Sequence, residues 1–527
     1  MPLRIVRLQR LTIARAVLRL ATKISQAGRS GTARATGRPH RPVGWLVAFW
    51  IFVLAAGGVF FASGNASAEA PSLDQRPGVK VGRKAVRERG DIPRVEDGAG
   101  ITVGKRSTFH PGAALALGFD SNVFFNSRND AGGIRRAGVL LPTAWLSLGN
   151  REVRDGVLQT AAAKDPSKFD YNLRAAFGFR QYLSGNPNVR NQSRPQVLVD
   201  AHVEALPGRR FSVALDNTFL YLSEPRNYEA GPAFNFNRLE DYMALSFIVR
   251  PGGGRLSISA SYLLEVLRYT NFDLITFDRV VNGAAAEVKY RIAPKSALVA
   301  NYTFHYSYYT NCCADPGTGR NEDNFAHRAK FGYRGVLGQR WVLQALAGYG
   351  KGIYYLDNNG PEPSVFLLDL NLSFYPTPRT EVYLEGGRSF QDSLFGNYFK
   401  DLGGWLGAVH TFRWRMFMDL SAGIISRRYA GLPIPGVDLS GPAPGFAAIA
   451  GYQAAPGFVR EDLLYGVRFR LEQPFGRYYV LGLRYDLLGD ATDFAINYVT
   501  VGADPTPPPD FAAYGKHVVM LMNAVRF

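Results

Sequence analysis

Three residues of the stretch "VDAHVEA", Asp200, His202 and Glu204, are the first candidates for chemistry in this chain. A histidine flanked by two carboxylates is the raw material of general acid–base work. Residues two apart in a strand share one face, however. A catalytic dyad is one reading of the row; a titrating group on a polar wall is the plainer one. No Gly-x-Ser-x-Gly elbow and no His-Glu-x-x-His accompanies it. The two cysteines, Cys312 and Cys313, are adjacent and lack metal-ligand spacing. Around them, "TNCCADPGTGRNEDN" offers carboxylates and carbonyls but matches no EF-hand loop. A vicinal disulfide, a bridge between molecules and free thiols all fit the pair. The expectation is a protein that is not an enzyme, with no cofactor and no metal.

The elements that hold these residues have a period of two. In "FDYNLRAAFGFRQ", Phe169, Tyr171, Leu173, Ala175, Phe177 and Phe179 alternate with Asp170, Asn172, Arg174, Ala176, Gly178 and Arg180. That pattern makes one apolar and one polar wall. It recurs in "VLVDAHVEA", "FSVALDNTFLY", "RLSISASYLLEV", "ALVANYTFHYSYY", "FLLDLNLSF" and "YVLGLRYDLL", with weaker cases between. About 18 such segments fit the chain, each long enough to cross a bilayer as a tilted strand. Short connections such as "LPGRR", "RPGGGR" and "QPFGR" alternate with long ones such as 223–237, 310–323, 428–459 and 489–513. The pattern predicts an all-β fold: a transmembrane antiparallel up-and-down barrel of about 18 strands over residues 108–527. The segment 150–168 is long where a short turn is due.

The charge of +18 is concentrated at the front. Residues 1–68 hold 10 Lys/Arg and no Asp/Glu, while the remainder has 51 basic against 43 acidic groups. No basic stripe or nucleic-acid motif accompanies it, so no nucleic-acid partner is expected. "GWLVAFWIFVLAAGGVFFA" followed by Ala66-Ser67-Ala68 reads as a signal peptide cleaved after Ala68, with an uncleaved single anchor as the alternative. Residues 69–107 read as a periplasmic extension or linker.

Carried inward, the polar wall places acids at Asp170, Asp200, Glu204, Asp216, Glu265, Glu287, Asp369, Glu381, Glu385, Asp419 and Asp486. The bases are Arg174, Arg180, Lys289, Arg291, Arg328, Lys330, Arg334, Arg427, Arg468, Arg470 and Arg484, joined by His202 and Asn371. Eighteen strands leave an aqueous lumen. Pairing of these charges across strands is one expectation; opposed basic and acidic walls with a transverse field are another. Of the long late segments, 429–459 holds one charge, Asp438, and 489–513 includes the apolar run "PTPPPDFAA", which is unusual for loops in water. They are expected to pack on each other or into the mouth as a lid, with contact to lipopolysaccharide or a partner as the rival reading.

"GFDSNVFF", residues 118–125, carries an aromatic, Asp-x-Asn and an aliphatic–aromatic pair: Phe119, Asp120, Asn122, Val123 and Phe124. This resembles the first-strand pattern of a bacterial porin-like outer-membrane barrel family associated with exopolysaccharide operons. Asp120 and Asn122 fall on the lumen side, as an Asx turn or as sugar contacts. The terminal "MNAVRF" places Phe527 against strand one and resembles the C-terminal signal read by the bacterial barrel-insertion machinery. The resemblance implies a pore assisting polysaccharide secretion in the outer membrane. Its partners would be outer-membrane lipid and lipopolysaccharide, that machinery, and periplasmic polysaccharide-export components. The alternatives are a general or solute-specific uptake porin and a non-conducting adhesion barrel.

Overall fold

The computed structural model describes residues 100–104, 107–127, 133–150, 168–223, 229, 236–251, 254–270, 277–310, 323–354, 363–393, 398–430, 460–492, 495–496, 510–511 and 513–527. The expected leader, its cleavage site, Cys312 and Cys313, and most of the expected lid lie outside these residues, as does 69–99 of the expected extension. What is described of that extension begins with a short β1 (Ile101–Val103), which folds back on the next strand through Ile101↔Phe109 and Val103↔Ser107.

The barrel strands follow in meander order. They are β2 (Ser107–Asp120), β3 (Ala137–Gly149), β4 (Phe169–Leu183), β5 (Arg194–Ala205), β6 (Phe211–Leu222) and β7 (Arg238–Val249). Then come β8 (Leu256–Tyr269), β9 (Arg279–Ala293), β10 (Ser296–Tyr309), β11 (Asn324–Leu337), β12 (Trp341–Tyr354) and β13 (Ser364–Thr377). The last run is β14 (Thr380–Asp392), β15 (Tyr398–Thr411), β16 (Phe417–Ala430), β17 (Glu461–Phe475) and β18 (Tyr479–Ala491). A two-residue ladder, β19 (Ala495–Ile496) with β20 (Asp510–Phe511), precedes the final β21 (Tyr514–Arg526). A single helical turn, α1 (Pro187–Arg190), bridges β4 and β5.

Each barrel strand pairs antiparallel with the next, and β21 pairs with both β18 and β2. The result is a closed antiparallel barrel of 18 strands, as the alternation predicts. Closure removes every free edge, so each backbone donor finds a partner within the sheet. Strands of 12 to 15 residues suffice for a tilted crossing. Among the described residues no helix is long and apolar enough to cross a membrane.

The outer face is exposed and apolar, with Leu115, Leu117, Phe177, Phe331, Phe366, Leu406 and Ile424 open to the surroundings. A wall of this kind is stable against lipid and costly in water. One rim has tight turns, such as the one in which Gly476 takes φ 65°, a region where a Cβ is penalised. The connection from Asn150 to Lys168 is the exception on that rim. Asn150 clamps its base, accepting from the Tyr171 N–H at 2.8 Å and donating to the Phe169 carbonyl at 2.6 Å. The opposite rim has the long connections.

Glycine serves packing within the wall as well. Trp145 lies flat over Gly112, where a Cβ would stand 2.0 Å from the ring. Trp405 covers Gly423 in the same way.

Closure brings the two ends of the barrel sequence together. Gly112↔Arg526 through Asp120↔Val518 form the seam. The Phe527 N–H donates to the Pro111 carbonyl at 3.0 Å, and its ring meets Tyr478 at 5.0 Å. Asn523, the polar interruption of the outer face here, accepts from the Tyr479 hydroxyl at 2.5 Å.

Candidate functional site: the inner wall

One face of the sheet is concave, and its side chains show it. The Tyr182 hydroxyl on β4 reaches Asp120 on β2 at 3.3 Å, past β3. The Tyr309 hydroxyl on β10 reaches Asp392 on β14 at 3.1 Å, past three strands. Arg328 on β11 donates to the Phe390 carbonyl at 3.1 Å. Side chains bridge intervening strands this way only across the inside of a curved sheet.

The registers carry that face round the ring. Asn172↔His202 and His202↔Asp216 place β4, β5 and β6 on it. Ser259↔Glu287, Glu287↔Asn301 and Asn301↔Lys330 extend it through β11. Asn371↔Glu385 and Asp419↔Arg470 continue it, and Arg468↔Asp486 completes it. The residues of these register pairs therefore share one face.

In the half nearer the short turns the charges are paired locally. His202 Nδ1 lies 2.6 Å from Asp216 Oδ1. Its partner is thus across the strand gap, not Asp200 or Glu204 beside it. Asp200 accepts from the Thr218 hydroxyl at 2.8 Å, and Glu204 faces Arg250 at 3.5 Å. Lys289 pairs with Glu287 at 2.7 Å, Lys330 with Asp369 at 3.6 Å, and Arg468 with Asp486 at 3.8 Å. Arg484 also binds Asp486, and Arg470 binds Glu472. Arg334 donates to Gln344 at 2.6 Å, and the Ser373 hydroxyl to Glu381 at 2.8 Å. Acids interleave with bases, so the expected separation into a basic and an acidic wall is not what forms. Cross-strand neutralisation wins because directly opposed opposite charges gain on the spot. This half is also wet: the side chains of His202, Lys289 and Arg484 are 34%, 39% and 37% exposed.

Toward the long-loop rim the same face is buried. Arg180, Glu265 and Arg427 are at most 2% exposed, and Asp120 and Asn122 are at 0%. The last two are not open to a solute; they knot the barrel seam. Lys516 Nζ donates to Asp120 Oδ2 at 2.7 Å and to the Asn122 carbonyl at 3.0 Å, and stands 4.1 Å over the Phe125 ring. Asp120 Oδ1 accepts from the Asn122 N–H at 3.0 Å, the expected Asx turn. Asn122 then donates to the carbonyls of Asn126 and Gly515 at 2.8 and 3.1 Å.

A second buried network lies on β15 to β18. Arg427 grips Asp401 with two bonds of 2.8 and 2.9 Å and stacks 3.8 Å over Phe399. Arg460 holds Asp462 through bonds of 2.9 and 2.7 Å, approaches Asp490 at 3.7 Å, and lies 4.4 Å over Tyr429. Glu229, midway in the connection between β6 and β7, joins this side. It accepts from the Ser393 hydroxyl just after β14 at 2.6 Å and feels Arg427 and Tyr429 electrostatically. β7 and β14 are seven positions apart on the 18-strand ring, so this bond spans the mouth.

Sequence reasoning did not single out Lys516, Asp401, Arg460, Asp462, Asp490 or Glu229. The parity that marked Asp486 and Arg468 also marks Asp490 and Asp462, but the strands run further toward the rim than the alternation alone shows. Glu229 carries no sequence signal.

At the rim itself, two carboxylates repeat one arrangement. Asp278 accepts from the Tyr269 N–H at 2.7 Å and Asp323 from the Tyr309 N–H at 2.8 Å. Burial pushes both upward, Asp278 to about 6 against the pull of its N–H and of Arg268, and Asp323 against that of its N–H and of the Tyr306 hydroxyl. Folded Asp278 therefore holds a proton between its ordinary 3.8 and about 6, where the unfolded chain has lost it. Its contribution to stability falls as pH rises through that window. Unfolding midpoints in detergent across the window should show this slope, and Asp278→Asn should flatten it; an unchanged slope would refute the assignment.

The closed 18-strand ring with a polar inner face and an apolar outer face defines a porin-type barrel. No protein-family model matches the chain, and no curated protein matches it. Solved structures similar to it include the outer membrane protein OpdK from Pseudomonas aeruginosa, at 10% identity and TM-score 0.39, over 80% of this chain and 99% of that one. A BenF-like porin from Pseudomonas fluorescens Pf-5 has 9% identity and TM-score 0.42 over 79% and 98%. OccAB3 from Acinetobacter baumannii has 10% identity and TM-score 0.41 over 80% and 99%. At these values the likeness concerns the fold alone.

Proposed function

We propose that the protein is a bacterial outer-membrane pore for small hydrophilic solutes. The side chains lining it are the interleaved charges of the wet half, from Arg174 and His202 round to Arg484. The observation that carries this reading is the Glu229–Ser393 bond across the mouth. A polysaccharide in transit needs a continuous lumen as wide as its chain. A mouth spanned by a side-chain contact, above a wall buried at its rim end, favours small solutes and so the uptake-porin alternative over polysaccharide export. Locally paired charges also make weak, multiple contacts, which let a solute leave as easily as it enters. In the same reading Phe527, docked at the seam, serves the insertion machinery as an assembly signal.

Planar-bilayer conductance and swelling of liposomes test this. The wild type should conduct and should admit monosaccharides and small acids, not long oligosaccharides. Glu229→Ala should raise single-channel conductance at least about twofold by removing the bridge. Passage of long oligosaccharides through the wild type would restore the export reading. Absence of conductance would favour an adhesion barrel.

A further inference from the structure

The outer wall carries a feature that a lipid-facing surface should avoid. Arg388 on β14, Lys400 on β15 and Arg428 on β16 all lie near the long-loop rim. Lys400↔Arg428 are directly opposed, and Arg388↔Leu402 sits two residues along from Lys400. Their outward direction follows from Leu402, which is exposed on the same face of β15, and from Arg428, 63% exposed. Arg388 and Arg428 are each close enough to repel Lys400. Like charges directly opposed across strands are destabilising. Among the described residues a single carboxylate, Glu461, is bonded to the three, at 3.3 Å from Arg428. Below the cations the wall is apolar, with Leu402, Leu406 and Ile424 exposed.

A cationic patch above an apolar wall has the polarity of an amphiphile with an anionic head and hydrocarbon tails. We infer that Arg388, Lys400 and Arg428 form a docking site for a phosphorylated outer-leaflet lipid, the lipid A part of lipopolysaccharide. Its phosphate neutralises the triad while its acyl chains cover Leu402, Leu406 and Ile424. Two guanidinium groups supply the forked donors that suit phosphate oxygens, and the ammonium adds a point charge. The rim position matters too: cations on a lipid-facing wall are tolerated near the interface and costly at the midplane. This rests on the membrane reading above and adds to it a lipid, a side and three residues.

The test is native mass spectrometry of the purified barrel in detergent with added lipopolysaccharide. It is repeated with the enzymatically dephosphorylated lipid and with inorganic phosphate as competitor. The triple variant Arg388→Gln, Lys400→Gln, Arg428→Gln should retain at least about tenfold less lipopolysaccharide. A control at the other rim, Arg209→Gln with Arg210→Gln, should retain as much as the wild type. Dephosphorylated lipid should bind the wild type as poorly as the intact lipid binds the triple variant, and inorganic phosphate should displace the lipid only weakly. Equal retention by the triple variant, or by the wild type with the dephosphorylated lipid, would overturn the site. Heat-modifiability on gels shows that each variant is folded. Failure of the wild type to enter phosphatidylcholine vesicles would sink the membrane reading itself, and the site with it.

Discussion

Asp120→Ala is expected to destabilise the folded barrel by about 3–5 kcal/mol, the usual consequence of removing one partner of a buried ion pair. Asp120 is fully buried, and Lys516 Nζ, only 2% exposed with its residue, donates to it at 2.7 Å. Without the carboxylate, that ammonium keeps the Asn122 carbonyl and the Phe125 ring as partners but loses the anion it donates to at 2.7 Å. The Asx turn that starts the first connection is lost as well. Position amplifies the damage. The pair joins the first barrel strand to the last, 396 residues apart in sequence. The seam is also held by nine register pairs, fewer than the 12 on the other side of β21. Lys516→Met should cost a similar amount. The double variant Asp120→Ala with Lys516→Met should be less damaged than the sum of the two, because it leaves no charge behind. Unfolding midpoints in detergent and the folded fraction on unheated gels would measure this. A wild-type midpoint for either single variant would show that the knot does not hold the seam.

The same residues show how far the sequence could be read. Strand count, antiparallel order, the alternation of short and long connections, and the side of the sheet for Asp120 are local matters. They follow from a period of two and from turn residues, and they are legible. Pro195 hid the start of β5, because a proline reads as a strand edge, although it pairs with Phe179 here. The partner of Asp120 is a different kind of fact. Lys516 becomes its neighbour only when the ring closes, and no local pattern links the two. Glu229 and Ser393, 164 residues apart, meet although the strands that flank Glu229 are far round the ring from β14. The pairing of His202 with Asp216 lies between these cases. Both face the same side by parity, but the one-to-one match depends on the register of β5 with β6. Burial is the least legible property. Parity makes Arg180 and His202 equivalent, yet Arg180 is only 2% exposed while the His202 side chain is 34% exposed.

Arg460→Met should be as damaging as breaking the seam, and its chemistry makes the effect dependent on pH. Arg460 is fully buried, with Asp462 gripped by two of its nitrogens and Asp490 at 3.7 Å. Methionine approximates the length of the stem and packs on Tyr429, so little volume is lost. The charge is what goes. Asp462 and Asp490, each 3% exposed, would then sit in a dry site without the guanidinium that grips them, and Arg427 would be the cation left beside them. Two like charges held close in a dry site disfavour joint ionisation. The expected loss is about 3–5 kcal/mol at neutral pH, shrinking as acid protonates one or both carboxyls. Arg460→Lys should fall between, because it keeps a charge but loses the forked grip and the flat stacking on Tyr429. Adding Asp462→Asn and Asp490→Asn to Arg460→Met should recover most of the stability and remove the pH dependence. Unfolding midpoints for the four proteins at neutral and acidic pH decide the matter. If Arg460→Met were equally stable at both, the guanidinium would not be the group that neutralises this part of the wall.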